Sequence, residues 1–274
     1  MLTANKKVTA WPLRVEPIAH GSVDVWCVSV KSMERRLEYL SSLLTVDEIR
    51  KAKAYRFERH RQRFRIARGM LRALLGEYLG CAGARVTFSQ GAEGKPALAG
   101  RSGRPLHFNV SHSADLVVYS FCHDAEVGAD VEYLDRSLDR NLVVNRAFSQ
   151  AELESYYAAP LSDRLRTFFQ IWARKEARLK ARGLRMAKIS EESLDRLPVV
   201  DFAFGENYVG AVAVGLREDV APREVTVSAV HAPANNERGR LRNRKSETLL
   251  ASRASVASDE SFADAQQYPL FTAA

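Results

Sequence analysis

The sequence predicts an α+β fold in two similar-sized portions, about residues 21–122 and 123–232, with a site between them. Three observations predict it. Short apolar runs of strand character are interspersed with longer stretches of helical period, and each portion holds both kinds. The 274 residues are 46% hydrophobic and 27% charged, enough for one large domain or two small ones whose core needs no disulfides. Cys27, Cys81 and Cys122 are widely spaced with no C-x-x-C pair, which reads as free thiols in a reducing compartment.

The elements follow in chain order. Residues 1–20 read as a loose leader, because MLTANKKVTAWPLR lacks the continuous apolar run of a secretory signal. VDVWCVSV at 23–30 is apolar on both faces, as a buried strand is. Thr45 with Asp47 and Glu48 opens a long helical stretch. Phe64, Ala67, Leu71, Leu74 and Tyr78 give it an apolar stripe, and Gly80 or Gly83 ends it. A loop rich in Gly and Pro covers 91–105. LHFNVS and LVVYSFC are two strands joined by a turn at Ser113–Asp115, and 127–132 is a third. Ser149 with Glu152 fits a capping box, and Leu165–Arg182 is a helix stopped by Gly183. NYVGAVAVGL and VTVSAV supply two further strands. From residue 233 to 274 the chain is polar and rich in Ser, Ala and Arg, and reads as a disordered tail. No run nears the ~18 apolar residues of a membrane span, so a soluble, cytoplasmic protein is expected.

The formal net charge is +8, which favours anionic partners: nucleic acid, phosphate-bearing small molecules or acidic proteins. The charge is concentrated. Between Arg50 and Arg72 stand ten Lys or Arg and one acid, Glu58.

Five constellations carry chemistry. In Val127-Gly128-Ala129-Asp130-Val131-Glu132, strand alternation puts Asp130 and Glu132 on one face. Two such carboxylates repel, and a hard cation such as Mg²⁺ would offset that; two acids at a wet strand end would look the same. On the helix after Phe168, Glu176 and Lys180 are i and i+4 with Trp172 one turn earlier, a pattern that an ordinary surface ion pair also gives. In Phe108-Asn109-Val110-Ser111-His112-Ser113, Ser111 and His112 point to opposite faces, which makes them a poor nucleophile–base pair and a better phosphate-binding turn; ordinary turn and capping polar residues would look the same. Gly94-Lys95-Pro96 fixes a loop lysine beside a proline. Arg50 and Lys53, at i and i+3, share one face of the basic helix.

Taken together and in this order, GKPAL at 94–98, FNVSHS at 108–113, GADVE at 128–132 and WARKEARLKARG at 172–183 resemble the Sfp-type 4′-phosphopantetheinyl transferases. Weaker similarity runs from about residue 23 to 230, roughly three quarters of the chain. The resemblance implies a fold of two similar α/β halves in pseudo-twofold arrangement with coenzyme A bound between them. It implies that Asp130, Glu132 and Glu176 coordinate Mg²⁺. Lys180 would contact the transferred phosphate, and Arg50, Lys53 and His112 would hold the 3′-phosphate of coenzyme A. Lys95 and Ser111 would line the nucleotide and phosphate pocket. The implied reaction is attack of a carrier-protein serine on the β-phosphate of coenzyme A, with release of 3′,5′-ADP. Glu176, or a water held by metal and carboxylate, would take the proton. The implied protein is a monomer acting on an apo acyl or peptidyl carrier protein, without nucleic acid or membrane.

Two positions depart from the family pattern. Ala129 stands where Ile is commoner, and Ile66 falls where a small hydroxyl residue is expected, with Arg65 or Arg68 as replacement phosphate donors. A nucleic-acid-binding module remains the main rival reading, since it accounts for the charge at 50–72 and 238–245 but not for the three acids.

Overall fold

The computed structural model describes residues 3–10, 13–90, 95–100, 104–137, 141–184, 197–215 and 224–231. The tail predicted at 233–274 lies outside them. The elements are β1 (Thr3–Ala10), β2 (Ser22–Ser29), α1 (Val30–Met33), α2 (Leu37–Ser42), α3 (Val46–Ala54), α4 (Glu58–Leu79), β3 (Phe88–Gln90), β4 (Pro96–Leu98), β5 (His107–Ser113) and β6 (Leu116–Cys122). Then follow β7 (Val127–Tyr133), α5 (Asn141–Ala147), α6 (Gln150–Ala158), α7 (Arg164–Arg182), β8 (Val199–Phe204), β9 (Tyr208–Val214) and β10 (Glu224–His231). Among the described residues no helix is long and apolar enough to cross a membrane.

The α+β prediction holds, and the two portions share one topology. Each runs strand, long helix, hairpin: β2, α4, β5–β6, and β7, α7, β8–β9. In each the first strand pairs antiparallel with the last, giving the orders β2-β6-β5 and β7-β9-β8. No sequence repeat announces this, because strand alternation and helix period tolerate many side chains.

Four layers result. Trp26 and Val28 of β2 face α4, where they meet Ile66, Met70, Leu71 and Leu74. Val23, Val25 and Cys27, on the opposite face of the same strand, pack on Val127, Ala129 and Val131 of β7. On the far side, Ala173, Ala177 and Ala181 of α7 lie against Ala211 and Ala213 of β9. A strand buried on both faces reads as a continuous apolar run, which is how β2 was legible. Ala129 is fully buried in this inter-sheet core.

Two expectations are corrected. Residues 3–10, read as part of a loose leader, form β1 and pair in parallel with β10 along their length. TANKKVTA has little apolar character, and its partner lies at the other end of the chain, so no local signal marks it. β10 in turn sits between β1 and β2, so the second portion completes the sheet of the first. The long helix opening at Thr45 is two helices. Thr45 and Glu48 do form a capping box for α3, but Tyr55 turns extended (ψ 133°) and its ring packs against Phe64 before α4 begins. Gly80 ends α4 in the left-handed region, φ 60°.

Glu48 also ties the two helices together. Its carboxylate accepts hydrogen bonds from Arg68 (2.5 Å) and from Arg72 (2.7 and 3.0 Å), whose guanidinium is 2% exposed and also donates to the Gly83 and Val86 carbonyls. Burial would raise the Glu48 pKa, but the bonds from Arg72 and Thr45 and the charge of Arg68 hold it below its ordinary value. Glu48→Gln is expected to cost about 3 kcal/mol, since it leaves a buried guanidinium short of its anion. The contribution is complete above the ordinary glutamate pKa and is lost as pH falls through the lowered one. Urea unfolding at pH 7 and at acid pH checks both: an equal deficit at both pH values would refute the assignment.

Candidate active site

β5 and β7 lie side by side at the seam between the portions, and β7 presents the free edge of its sheet there. Alternation along β5 decides what meets it. Asn109, Ser111 and Ser113 point toward β7. The Ala129 N–H donates to Asn109 Oδ1 and the Tyr133 N–H to Ser113 Oγ, both at 3.0 Å, so side chains satisfy an edge that a strand would otherwise cover. Ser111 Oγ donates to Asp130 Oδ1 at 2.8 Å, and Ser113 Oγ to Glu132 Oε2 at 3.0 Å.

α7 closes the site from the other side. A Cβ on Gly128 would lie 2.2 Å from the Ala177 carbonyl oxygen and from the Ala181 nitrogen, so only glycine lets the helix seat on β7. That seating brings Glu176 and Lys180 to the two strand carboxylates. Lys180 Nζ donates to Asp130 Oδ1 (2.5 Å) and to Ser111 Oγ (3.1 Å). Asp130 is 3% exposed, and its other oxygen, Oδ2, is buried without a partner. Lys175, next to Glu176 on α7, is turned away into the protein. It bonds the Ala147 carbonyl and lies 2.8 Å from Glu152 Oε2, which caps α6.

The electrostatics are those of crowded acids. Burial, then the charges of Asp130 and Glu176, push the Glu132 carboxyl up to about 8, against the Ser113 hydrogen bond and Lys180. Burial and Asp130 raise Glu176, while Lys180 opposes them. Burial disfavours the Lys180 charge, yet Asp130, Glu176 and Glu132 together hold its pKa above the ordinary lysine value.

His112 faces the other way, toward the first turns of α4. Burial lowers its pKa to about 3, helped by the nearby charges of Arg63 and Lys180. Arg63 has a buried Nε with no partner, and its Nη2 lies 3.1 Å from His60 Nδ1. Arg63 of α4 and Lys180 of α7 thus bring positive charge near the His112 ring from two elements. Arg63 is the functional candidate that sequence reading missed. Its only signal was the i, i+4 pair with Arg59, which does not say which way the face points.

The structure thus brings together Ser111, His112, Asp130, Glu132, Glu176 and Lys180. It leaves Arg50 and Lys53 on the exposed face of α3, where Arg50 pairs with Asp47 one turn back. Lys95 sits at the start of β7, bonded to Glu126 (2.6 Å) and the Val127 carbonyl (3.0 Å). With Pro96, His107, Phe108 and Arg182 it lines a cleft of about 210 Å³. At 65–68, Ile66 is fully buried in the core, Arg65 donates to Ser41 Oγ and Arg68 to Glu48.

A strand–helix–hairpin unit occurs twice, with Asp130, Glu132, Glu176 and Lys180 gathered at the seam and Arg63 near His112 beside them. Residues 30–123 match the family described as 4′-phosphopantetheinyl transferase, N-terminal, and residues 126–241 match the 4′-phosphopantetheinyl transferase superfamily. The chain is 33% identical over 206 residues to the 4′-phosphopantetheinyl transferase HetI of Nostoc sp., covering 70% of this chain and 87% of that protein. It is 31% identical over 142 residues to the putative 4′-phosphopantetheinyl transferase slr0495 of Synechocystis sp., covering 52% and 58%. It is 38% identical over 93 residues to the 4′-phosphopantetheinyl transferase AcpT of Salmonella typhimurium, covering 34% and 47%. The chain belongs to the 4′-phosphopantetheinyl transferase superfamily.

Proposed function

We propose that this protein transfers the phosphopantetheine arm of coenzyme A to a serine hydroxyl of an apo acyl or peptidyl carrier protein, releasing 3′,5′-ADP. The observation that carries the reading is the seam itself: the crowded carboxylates Asp130, Glu132 and Glu176, an orphaned Asp130 Oδ2, and Lys180 near His112 and Arg63, whose buried Nε has no partner. The donor set is all carboxylate, as a hard cation requires, and the orphaned oxygen fits the same demand. Asp130, Glu132 and Glu176 would hold Mg²⁺. When bound, the ion neutralises diphosphate charge.

The remaining roles belong to the chain. Arg63 and His112 would bind the 3′-phosphate of coenzyme A, with Arg50 and Lys53 as outer cations and Lys95 and Ser111 lining the nucleotide side. Lys180 would bear on the transferred phosphate and stabilise the departing 3′,5′-ADP. Glu176 would accept the serine proton: burial and Asp130 raise its basicity, and α7 aims it into the seam. Phosphoryl transfer of this kind depends on positioning and charge neutralisation more than on covalent help from the protein, so Ser111 is not assigned as a nucleophile. The protein would act in the cytoplasm as a monomer.

The nucleic-acid rival loses ground because much of the basic helix is spent internally. Arg65, Arg68 and Arg72 are engaged by Ser41 and Glu48, and Arg61 donates to the Tyr55 and Arg56 carbonyls. Incubation with coenzyme A, Mg²⁺ and a panel of apo-carrier proteins, read by intact mass, tests the proposal. One phosphopantetheine should appear on a carrier, and EDTA should abolish it. No gain on any carrier, with a salt-dependent duplex shift instead, would overturn it.

A further inference from the structure

Lys95 stands apart from the acid cluster, and its place is set from both portions of the chain. Pro96 biases the backbone of the residue before it toward extended conformations. The four-carbon stem beyond is flexible, so the ammonium needs anchors. Among the described residues it has two: Lys95 Nζ donates to Glu126 Oε2 at 2.6 Å and to the Val127 carbonyl at 3.0 Å. An ammonium has three donors, so a third remains, and the first two bonds set its direction. The side chain is 15% exposed, well covered for a lysine.

Glu126 is anchored in turn. Its carbonyl accepts from the Gly215 N–H at 2.6 Å, which ties it to the residue after β9. Its other carboxylate oxygen, Oε1, lies 2.8 Å from His107 Nδ1. The hydrogen bond with His107, then the charge and hydrogen bond of Lys95, outweigh burial and lower the Glu126 pKa to about 2. The carboxylate therefore only accepts, and the imidazole N–H donates. Both oxygens are engaged, one by each of two residues from the first portion. Yet the carboxylate is 52% exposed, and an ion pair so open to water contributes little to stability. What the arrangement does is fix a direction. Lys95, His107 and Glu126 line one cleft with Pro96, Phe108 and Arg182.

We infer that Glu126 is a positioning residue: it holds Lys95 so that the free ammonium donor meets the nucleotide end of coenzyme A, and His107 holds Glu126 in place. This rests on the transferase reading, in which Lys95 lines the nucleotide side. It adds that a lysine of the first portion is aimed by an acid of the second. The sign of the effect is diagnostic. An acid near an anionic ligand should repel it, so removing Glu126 would tighten binding unless its work is done through Lys95.

The test is calorimetric titration of 3′,5′-ADP into the full chain. Lys95→Met should weaken it about 10- to 100-fold, the equivalent of one hydrogen bond to a charged group. Glu126→Ala should weaken it about 10-fold, and Glu126→Gln, which keeps the size of the side chain, should move it the same way. In Lys95→Met/Glu126→Ala the loss should not exceed that of Lys95→Met alone, because the two residues act as one. In steady-state transfer, Glu126→Ala should raise KM for coenzyme A by the same factor and leave kcat near that of the wild type, with an unchanged urea midpoint. Unaltered or tighter 3′,5′-ADP binding in both Glu126 variants, an equal loss with and without Lys95, or a fall in kcat at constant KM would each overturn the inference. Holo-carrier formation by the wild type, read by mass, tests the underlying reading separately. A chain that forms holo-carrier with equal affinities in wild type and Glu126→Ala refutes the positioning role alone. A wild type that binds no 3′,5′-ADP and modifies no carrier refutes the transferase reading and the positioning role with it.

Discussion

Gly128→Ala is expected to lower the rate of holo-carrier formation at least 100-fold. The added methyl would stand 2.2 Å from two backbone atoms of α7, the Ala177 oxygen and the Ala181 nitrogen. Neither is the flexible end of a side chain, so the helix itself must shift. Glu176 and Lys180 ride on that helix, and the Lys180 contact with Asp130 is 2.5 Å. Misplacing a reacting group by about 1 Å costs roughly 10²-fold, which sets the size of the prediction. Overpacking should also cost about 1–3 kcal/mol of stability. Single-turnover transfer followed by mass, together with urea unfolding, separates the two effects. A wild-type rate in a folded Gly128→Ala protein would show that α7 does not set the geometry of the site.

Glu176→Gln should lower kcat by about 10²–10⁴-fold, the range associated with loss of a general base. The substitution preserves size, so the fold should hold. It removes both a proposed cation ligand and the proposed proton acceptor, and Mg²⁺ concentration distinguishes these. A defect of ligation is repaired by excess metal, whereas a missing base is not. The expected result is a kcat deficit that persists at saturating Mg²⁺, with KM for coenzyme A changed little. Recovery at high Mg²⁺ would leave Glu176 as a ligand only and pass the proton to solvent.

Much of the seam was legible beforehand because strand alternation is a strong geometric rule. It put Asp130 and Glu132 on one face, and Ser111 and His112 on opposite faces, and the structure has Ser111 on Asp130 with His112 turned toward Arg63. The helix pair Glu176 and Lys180 was equally readable. Arg63 and β1 were not, for different reasons. A helix presents charged side chains all around its polar side, so sequence spacing does not say which arginine of α4 comes near His112. β1 is held by backbone bonds to a strand at the far end of the chain, and such bonds leave little trace in side-chain identity. Arg50 and Lys53 have the spacing of one helix face, and in the structure that face is exposed.

The insertion of β10 between β1 and β2 has a bearing on how the chain is made. The first portion contains its own hairpin and helix, yet β2 has an unpaired edge until residues 224–231 arrive. During synthesis the early segment would therefore emerge with an exposed template for strand addition, and β1 would have nothing to dock on. Closure of the five-stranded sheet is a long-range pairing, the kind that slows folding. The two lobes resemble each other in topology but are not separable modules: residues 224–231 complete the sheet to which residues 22–29 belong.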